Sequence, residues 1–394
     1  MSEWKENILG EIAHVQTGPF GSQLKNEQYI TGGTPVITVE HINDFKIVDF
    51  NYPSVTEEDR DRLSKYLLNK GDIIFTRVGS VDLSAYVKPH QEGWMFSSRM
   101  LRVRPGKDVD SRYLSYYFQQ PNFRDYILNI SVGATMPSIN TGILKGISVT
   151  YPSIDVQKSI ASILSSLDDK IDLLHRQNAT LEALAETLFR QWFVEDAKEE
   201  WKIGILDDVI SVKGGTTPST KEPEYWNGDI HWTTPRDLSN HTSVFLFNTE
   251  RKITPKGLSQ IGSGLLPVGT VLLSSRAPIG YLAITEIPLA INQGYIAIIC
   301  DKKVSNYFIY LWCKINMEEI ESSGNGSVFQ EISKSVFKQL TIVVPPKKIL
   351  NEFDNIVSPL FSKIKSNQTQ IQTLTTLRDT LLPKLMSGEV LVEN

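Results

Sequence analysis

Six histidines and two cysteines are the side chains of this chain best suited to acid–base, nucleophilic or metal chemistry. The histidines are dispersed, and their positions do not favour a metal site: His14, His41, His90, His175, His231 and His241. Cys300 and Cys313 both lie in apolar surroundings, where a cysteine usually packs as a small hydrophobic residue. Two such thiols make neither a disulfide framework nor a zinc site.

Motifs that cradle nucleotides or activate nucleophiles are missing as well. The sequence contains no Walker A motif, no HExxH zinc motif and no GxSxG nucleophile elbow. The glycine-rich segment at 262–269 follows no strand–turn–helix pattern, so a loop is the simpler interpretation. We therefore expect this chain to catalyse nothing itself.

The totals limit the classes of protein that remain. A chain of 394 residues, 41% of them hydrophobic, has material for two or three domains with separate cores. Its 40 basic and 45 acidic residues give a formal net charge of -5, which excludes a global basic field. No secretory leader and no apolar run of membrane-spanning length are present, which predicts a soluble, cytoplasmic protein.

The segments that must position any binding residues occur twice in the sequence, as an internal repeat. Seven residues of the segment from Trp4 match the segment from Trp201 without a gap: Trp4, Lys5, Ile8, Leu9, Ile12, Val15 and Gly18 with Trp201, Lys202, Ile205, Leu206, Val209, Val212 and Gly215. The match returns around Gly71 and Gly269, and again at Tyr113 and Tyr307. A period of nearly two hundred residues indicates a duplicated domain, because solenoid repeats span only about 20–50 residues.

Each half mixes short strands with helices. Apolar runs between glycine and other turn signals predict buried strands at 34–42, 71–79, 269–277 and 292–300. Aromatic residues at helical spacing predict helices at 111–120 and 306–315. After each half, the pattern changes at a proline to a long helical run. The predicted organisation is two mixed domains at 1–152 and 201–345, long helices at 153–194 and 346–386, a linker to residue 200 and a tail at 387–394.

The two long helices carry stripes of apolar residues at alternating spacings of four and three, which is typical of a coiled coil. Each stripe contains one asparagine, Asn178 in the first and Asn367 in the second. If these face each other in an antiparallel pair, Leu164 lies opposite Leu381. A buried amide pair would fix the alignment, although either asparagine could instead occupy a hydrated position. Thirty helical residues span roughly 45 Å, so the pair would separate the two mixed domains as a stiff spacer.

The segments LFRQWF at 188–193 and LLPKLMSGEV at 381–390 each end one of the long helices. Together with the duplicated domain, the proline before each helix, and the segments GDIIFTRVGS and GATMPSIN, they resemble the specificity subunit of type I restriction–modification systems. The resemblance covers the whole chain and implies a mixed α/β fold with two target recognition domains, an antiparallel two-helix coiled coil and a pseudo-twofold repeat. It further implies that each domain reads half of a split sequence in double-stranded DNA.

The same resemblance implies partners. Two adenine N6-methyltransferase subunits would dock on the scaffold, and translocating endonuclease subunits would join them. S-adenosylmethionine, ATP and Mg would be bound by those subunits, with no cofactor in this chain. In agreement, the chain lacks the N/D-P-P-Y/F tetrapeptide that an adenine methyltransferase needs, since NYPS at 51–54 has neither the second proline nor the aromatic residue.

Candidates for DNA contact follow from side-chain chemistry. Arginine reads guanine with two hydrogen bonds and asparagine or glutamine reads adenine, whereas Ser, Thr and Lys mostly hold phosphate. In the first domain the candidates are Ser22, Lys25, Arg77, Ser80, Arg99, Thr135, Ser138 and Asn140. In the second they are Thr217, Thr233, Arg236, Ser275, Arg276, Asn292, Gln293, Ser327, Gln330 and Lys334. For each of them, a solvated surface position or a structural ion pair is the alternative.

Arg77 and Arg276 are the best two candidates, because they follow corresponding buried strands one register apart. Arg99, Arg102 and Arg104 are predicted to alternate on one strand face, which favours a phosphate patch.

Exposed parts of LFRQWF, chiefly Phe189, Trp192 and Phe193, are predicted to dock a partner. A helix end packed on the adjoining domain is the alternative there. For the whole chain, the alternatives are a stand-alone DNA-binding scaffold or regulator and a protein–protein adaptor.

Overall fold

The computed structural model describes residues 4–48, 50–133, 135–239, 241, 243–325 and 330–392. The chain divides into two compact units, Met1–Lys170 with Leu374–Asn394 and Ile171–Thr373. We call them unit 1 and unit 2. Each unit contains one mixed domain and a part of both long helices. None of the helices in these ranges is long and apolar enough to cross a membrane.

The elements of the first mixed domain and the first long helix are, in chain order, β1 Lys5–Ile8, α1 Leu9–Ile12, β2 Ala13–Thr17, β3 Thr34–Ile37, β4 Ile42–Asn43, β5 Lys46–Ile47, β6 Ser54–Val55, α2 Glu57–Arg62, β7 Ile73–Thr76, β8 Ser84–Tyr86, β9 Met95–Phe96, β10 Met100–Pro105, α3 Ser111–Gln119, α4 Pro121–Ile130, α5 Thr141–Lys145, β11 Ser148–Tyr151 and α6 Ile154–Arg190.

The elements that follow are β12 Lys202–Ile205, β13 Ser211–Gly214, β14 Trp226–Thr233, α7 Pro235–Ser239, β15 Phe245–Leu246, β16 Arg251–Ile253, α8 Pro255–Ser259, β17 Val271–Ser275, β18 Ile279–Thr285, β19 Leu289–Ile291, β20 Tyr295–Ile299, α9 Asn306–Ile315, α10 Met317–Ser322, α11 Lys334–Lys338, β21 Thr341–Val344 and α12 Lys347–Ser387.

The two units repeat one sheet topology. Unit 1 has a sheet in the order β2-β10-β7-β8, a second in the order β6-β3-β9 and the pair β1-β11. Unit 2 has the corresponding orders β13-β20-β17-β18, β16-β14-β19 and β12-β21, with β15 added at the edge of the first sheet. The duplication predicted from the sequence is therefore a duplication of fold, and the predicted mixed α/β class is confirmed.

One inner strand of each larger sheet, β7 in unit 1 and β17 in unit 2, is buried on both faces. In β7, Ile73 and Phe75 join the apolar cluster that contains α3, while Ile74 joins the cluster of the second sheet. In unit 2, Val271 and Leu272 divide between two clusters in the same way. Burial on both faces explains why these strands are continuous apolar runs without polar alternation.

The long helices pair inside each unit, and the described contacts follow an antiparallel order. In unit 1, Arg378 of α12 donates to Asp168 of α6 at 2.9 Å, and Leu381 packs against the cluster that contains Leu164. In unit 2, Asn367 Nδ2 of α12 donates to Asn178 Oδ1 of α6 at 2.9 Å. Residue numbers thus fall along one helix as they rise along the other, as the antiparallel hypothesis requires.

The asparagine pair offers a test of helix alignment. Asn367 is fully buried, and its only other described acceptor is Gln177 Oε1 at 3.4 Å. We expect Asn178→Leu to lower the free energy of unfolding by about 1–3 kcal/mol, because it leaves a buried amide without its main partner. The double change Asn178→Leu with Asn367→Leu should recover most of this loss. Urea denaturation measures both effects, and the exposed Thr180→Leu serves as the control. A single variant as stable as the unchanged protein would refute the pairing role.

Candidate nucleic-acid interface

Four segments of unit 1 meet beyond the end of β7, and we call their described residues the unit 1 loop cluster: residues 17–20, 77–80, 97–99, and 131–133 with 135–140. The amide of Arg77 donates to the carbonyl of Arg99 at 2.8 Å, and the carbonyl of Arg77 accepts from Ile139 at 3.0 Å. The amide of Gly79 donates to the carbonyl of Pro137 at 2.8 Å. Backbone hydrogen bonds therefore hold several of the predicted DNA-contact residues at one place.

Arg77 is the central side chain of this cluster. Its guanidinium donates to the carbonyl of Ser98 at 3.3 Å and more weakly to Thr17 Oγ1 at 3.5 Å. The same group lies 5.6 Å from the ring centre of Phe20, which is 47% exposed. A half-buried arginine that is held by a ring and a carbonyl is pre-positioned, so it loses less side-chain entropy when it binds a ligand.

Four segments of unit 2 form the corresponding unit 2 loop cluster: residues 214–217, 275–276, 292–294 and 330–334. Thr217 Oγ1 donates to Gln293 Oε1 at 2.7 Å, and Arg276 forms an ion pair with Glu331 at 3.5 Å. The side chain of Lys334 covers Gly214, where an added Cβ would lie 2.8 Å from the Lys334 ammonium. The second cluster therefore presents an arginine, a lysine, an amide and a carboxylate.

The two clusters are built on the same backbone contacts. In unit 1 the paired residues are Arg77 with Arg99, Arg77 with Ile139, Val78 with Ser138, and Val132 with Ser138. In unit 2 the corresponding pairs, in the same order, are Ser275 with Gly294, Ser275 with Ile332, Arg276 with Glu331, and Asn325 with Glu331. Arg77 thus corresponds to Ser275, and Arg276 corresponds to Val78. The two arginines are one register apart, and the frame is repeated while the side chains differ.

The glycines matched in the sequence belong to this frame. A Cβ on Gly18 would lie 2.1 Å from the carbonyl oxygen of Ser97, and one on Gly215 would lie 1.8 Å from that of Ile291. Either approach is closer than any side chain allows, so both positions require glycine for close packing of the backbone.

The other predicted DNA-contact residues differ in exposure. The exposed ones are Ser22, Lys25, Ser80, Arg99, Thr135, Asn140, Arg236, Gln293, Gln330 and Lys334, and the half-buried ones are Ser138, Thr217, Arg276 and Asn292. Asn140 accepts from the amide of Ile143 at 2.9 Å and so caps α5. Ser22, Lys25 and Arg236 lie outside the segments that define the two clusters. Ser327 lies outside the described residues.

Two buried hydroxyls do not fit direct DNA contact. Thr233 is 0% exposed and its hydroxyl lies 3.5 Å from that of Tyr295, while Ser275 is 3% exposed at the end of β17. We correct the prediction for both, since neither side chain can reach a ligand outside. Their types resemble those of surface residues, but both lie on strands covered on two sides.

The predicted phosphate patch on β10 is also wrong. Arg102 is 3% exposed and donates to the carbonyl of Leu67 at 2.9 Å and to Gln16. Arg104 makes two hydrogen bonds of 2.7 Å to Asp72, which is 1% exposed. Only Arg99, which precedes β10, is exposed. Arg102 and Arg104 therefore belong to a structural ion-pair network and not to a phosphate patch.

The aromatic residues at the end of α6 and in the π-helical segment Gln191–Glu195 that follows it pack into the unit 2 core. Phe189 is 2% and Phe193 is 7% exposed, and their ring centres lie 4.9 Å and 5.0 Å from that of Phe308. Trp192 is half-buried, with its ring 5.9 Å from that of Phe353. The docking prediction is corrected for Phe189 and Phe193, because their surfaces are already covered within unit 2. The alternative of a helix end packed on its domain describes them.

Comparison with known proteins identifies the family. The model of the type I restriction modification DNA specificity domain matches residues 1–183 and again residues 198–376. The chain belongs to this DNA specificity family. The resemblance inferred from the sequence is thus confirmed. Each of the two matched ranges contains one loop cluster.

Relatives from this DNA specificity family are similar to this chain over 99% of its length. The type I restriction enzyme MjaIX specificity subunit of Methanocaldococcus jannaschii is 27% identical, covering 99% of this chain and 94% of its own. The type I restriction enzyme HindI specificity subunit of Haemophilus influenzae is 23% identical, over 99% of this chain and 100% of its own length. The crystal structure of the type I restriction–modification S subunit from M. genitalium matches this chain with a TM-score of 0.63 at 17% identity. The match covers 98% of this chain and 96% of that subunit, and it supports the fold described above.

Several residues of the clusters could not be predicted from the sequence. Phe20 lies in a glycine- and proline-containing loop, and nothing in its spacing predicts a stack on Arg77. Glu331 was missed because an acidic residue does not suggest DNA contact, yet a carboxylate can accept from cytosine N4. Val132 and Met136, both exposed beside Ser138, have no polar atom that marks them as site residues.

Two observations on the described residues bear on metal binding and on thiol reactivity. No group of three or more His, Cys, Asp or Glu residues in them could hold a metal ion. Burial raises the pKa of the Cys300 thiol to about 12 and also raises that of Cys313, which keeps both protonated near neutral pH. Both cysteines are parts of the unit 2 core.

Proposed function

We propose that this chain is the DNA-recognition subunit of a type I restriction–modification complex, and that each unit reads one half of a bipartite, asymmetric target. The observation that carries the proposal is the repeated frame of the two loop clusters with different side chains on it. A repeated frame offers two equivalent ways to approach a duplex. Different side chains at equivalent positions make the two half-sites unlike each other.

The side chains of the two clusters suit base and phosphate contacts. Arg77 presents a guanidinium for guanine, flanked by Ser80 and Arg99 at the surface. In unit 2, Gln293 and Asn292 can pair with adenine, while Arg276 and Glu331 offer a donor and an acceptor side by side. Lys334 is placed to hold phosphate.

We infer that the chain itself is non-catalytic. It would provide the scaffold for two adenine N6-methyltransferase subunits and for translocating endonuclease subunits, which would bind S-adenosylmethionine, ATP and Mg. DNA as the target makes the cytoplasm the proposed site of action. Because the net charge is -5, tight binding needs positive charge from the partners around the duplex.

This requirement can be tested by a gel shift with the chain alone and with the complete complex of chain and methyltransferase subunits. The probe is a duplex carrying the motif that N6-methyladenine mapping finds in the host. We expect the complex to prefer this duplex over a scrambled one by on the order of 10³-fold, and the chain alone to show little preference. Equal selectivity without partners would favour a stand-alone DNA-binding protein. No selectivity in either sample would favour an adaptor.

A further inference from the structure

One hairpin of the unit 1 loop cluster ends in exposed apolar side chains. Its described residues are 132, 133 and 135–138, and backbone hydrogen bonds of 2.9 Å and 2.8 Å join Val132 to Ser138. Ser138 Oγ donates to the carbonyl of Val132 at 3.0 Å, and Pro137 accepts from Gly79 in the Arg77 segment. Val132 is 61% and Met136 is 62% exposed. Backbone hydrogen bonds therefore hold the base of the segment that carries these two exposed side chains.

The turn of this hairpin depends on Gly133. Its φ is +107°, and a Cβ at this position would lie 2.6 Å from the carbonyl oxygen of Met136. Only glycine meets both conditions, so the backbone is built to bring Met136 back over the turn. An exposed large apolar side chain beside predicted DNA-contact residues is a candidate for a binding contact.

The repeat supplies a second observation. The bridge between Asn325 and Glu331 in unit 2 corresponds to the bridge between Val132 and Ser138, and each encloses five residues. In sequence these are GATMP at 133–137 and GSVFQ at 326–330, so glycine opens both and a large apolar residue, Met136 or Phe329, is fourth in both. The other three positions all differ. Residues 326–329 lie outside the described ranges.

The surroundings of Met136 favour DNA over an apolar protein surface. The hairpin is bonded to the Arg77 segment, whose guanidinium lies against the exposed Phe20, and Ser80 is exposed on the same segment. Cationic and hydroxyl groups beside an apolar side chain suit DNA, because phosphates there flank apolar stacked bases. Proteins that bend DNA commonly insert Met, Leu, Ile or Phe between base steps and kink the duplex.

We propose that this hairpin acts as a wedge, and that Met136 inserts between two stacked base pairs in the half-site read by unit 1. The inference rests on the proposed DNA-recognition function. Ser80 would hold the flanking backbone, Arg77 would read its base, and the thioether chain would fill the opened step. The unstacked step would add selectivity for sequences that deform easily, without any hydrogen bond to a base.

The test uses the complete complex and duplexes carrying the mapped motif, with each adenine except the methylated one replaced in turn by 2-aminopurine. The methylated adenine is left out because base-modifying enzymes take their target base out of the stack. We expect one reporter in a single half-site to brighten on binding and a neighbouring thymine to become reactive to permanganate. Met136→Gln should abolish both signals and weaken binding about ten-fold, since an amide resists the apolar step. Met136→Leu should retain both.

Ile8→Thr is the matched control, because Ile8 is also exposed but lies on β1, paired with β11 and away from the hairpin. It should leave both signals unchanged. Unaltered 2-aminopurine and permanganate signals in Met136→Gln would overturn the wedge, even with a weaker affinity. If the unchanged complex selects no bipartite sequence at all, the proposed function fails instead, and that result is visible before any variant is compared.

Discussion

Replacing Asp72 with alanine should lower the local free energy of unfolding in unit 1 by about 3–5 kcal/mol, the usual cost of removing one partner from a buried ion pair. Asp72 is 1% exposed, accepts two hydrogen bonds of 2.7 Å from Arg104 and accepts from the amide of Asn69 at 2.8 Å. Arg102, 3% exposed, has its Nε 4.0 Å from the same carboxylate. Without Asp72, two guanidinium groups would share a largely buried position with no counter-charge.

The physical reason for the size of this effect is the burial of Arg102. Burial lowers the pKa of Arg102, because an interior position disfavours the charged form, while Asp72 raises it. An arginine stays charged at any ordinary pH, so the imbalance cannot be relieved by loss of a proton. The penalty must appear as lost stability.

Hydrogen exchange of peptides covering β7 and β10 measures this effect locally, which matters because a chain with two units need not unfold in one step. Asp61→Ala is the matched control, since Asp61 is exposed on α2. We expect exchange to accelerate in β7 and β10 for Asp72→Ala and to stay unchanged for the control. Unchanged protection in Asp72→Ala would show that carbonyls and Gln16 suffice to hold the arginines.

Phe193→Ala should destabilise unit 2 by about 3–5 kcal/mol, as expected for an aromatic side chain removed from a core. The ring of Phe193 lies 5.0 Å from those of Phe189 and Phe308 and 4.8 Å from that of Phe353. These residues come from α6, from the π-helical segment Gln191–Glu195 that follows it, and from α9 and α12, so their cluster ties the mixed domain of unit 2 to both long helices. Alanine would leave a cavity that such rigid neighbours cannot fill.

Urea denaturation combined with a partner-binding assay distinguishes the core role of Phe193 from docking. The neighbouring Val194 is 53% exposed, and Val194→Ala is the matched control. We expect Phe193→Ala to shift the unfolding midpoint of unit 2 and Val194→Ala to leave it in place. A Phe193→Ala protein with normal stability but weakened methyltransferase binding would restore the docking interpretation.

The regular parts of the fold were predictable because they follow repeating patterns. Matched residues around Trp4 and Trp201 revealed the duplication, and the apolar stripes revealed long helices with Asn178 and Asn367 at one level. The helix α12 contains Pro359 and Pro383, each of which removes a backbone donor, yet it continues from Lys347 to Ser387. Buried neighbours of Pro359 such as Val357 and Phe361 show that packing maintains the helix there.

Positions of polar residues were harder to predict, because polarity alone does not tell which face of a strand is covered. Arg102 alternates with Leu101 and Val103 on β10, as a solvent-facing residue would. Its face is instead covered by the second sheet, where Phe96 lies 5.7 Å from the guanidinium and Asp72 is nearby. Only the long-range pairing of segments far apart in sequence creates that environment. Arg77 and Arg276 were predictable as a pair because their position depends on the repeat itself.

The most direct test of the central claim, that each unit reads one half of the target, is mapping of N6-methyladenine in hosts that express the complete complex. With the unchanged chain, we predict two short, unlike sequence elements separated by an unspecified spacer of fixed length. Arg77→Ala should relax one element only and Arg276→Ala the other only, each losing about 1–3 kcal/mol of discrimination at one base pair. A motif without a spacer, or relaxation of the same element by both variants, would contradict the claim.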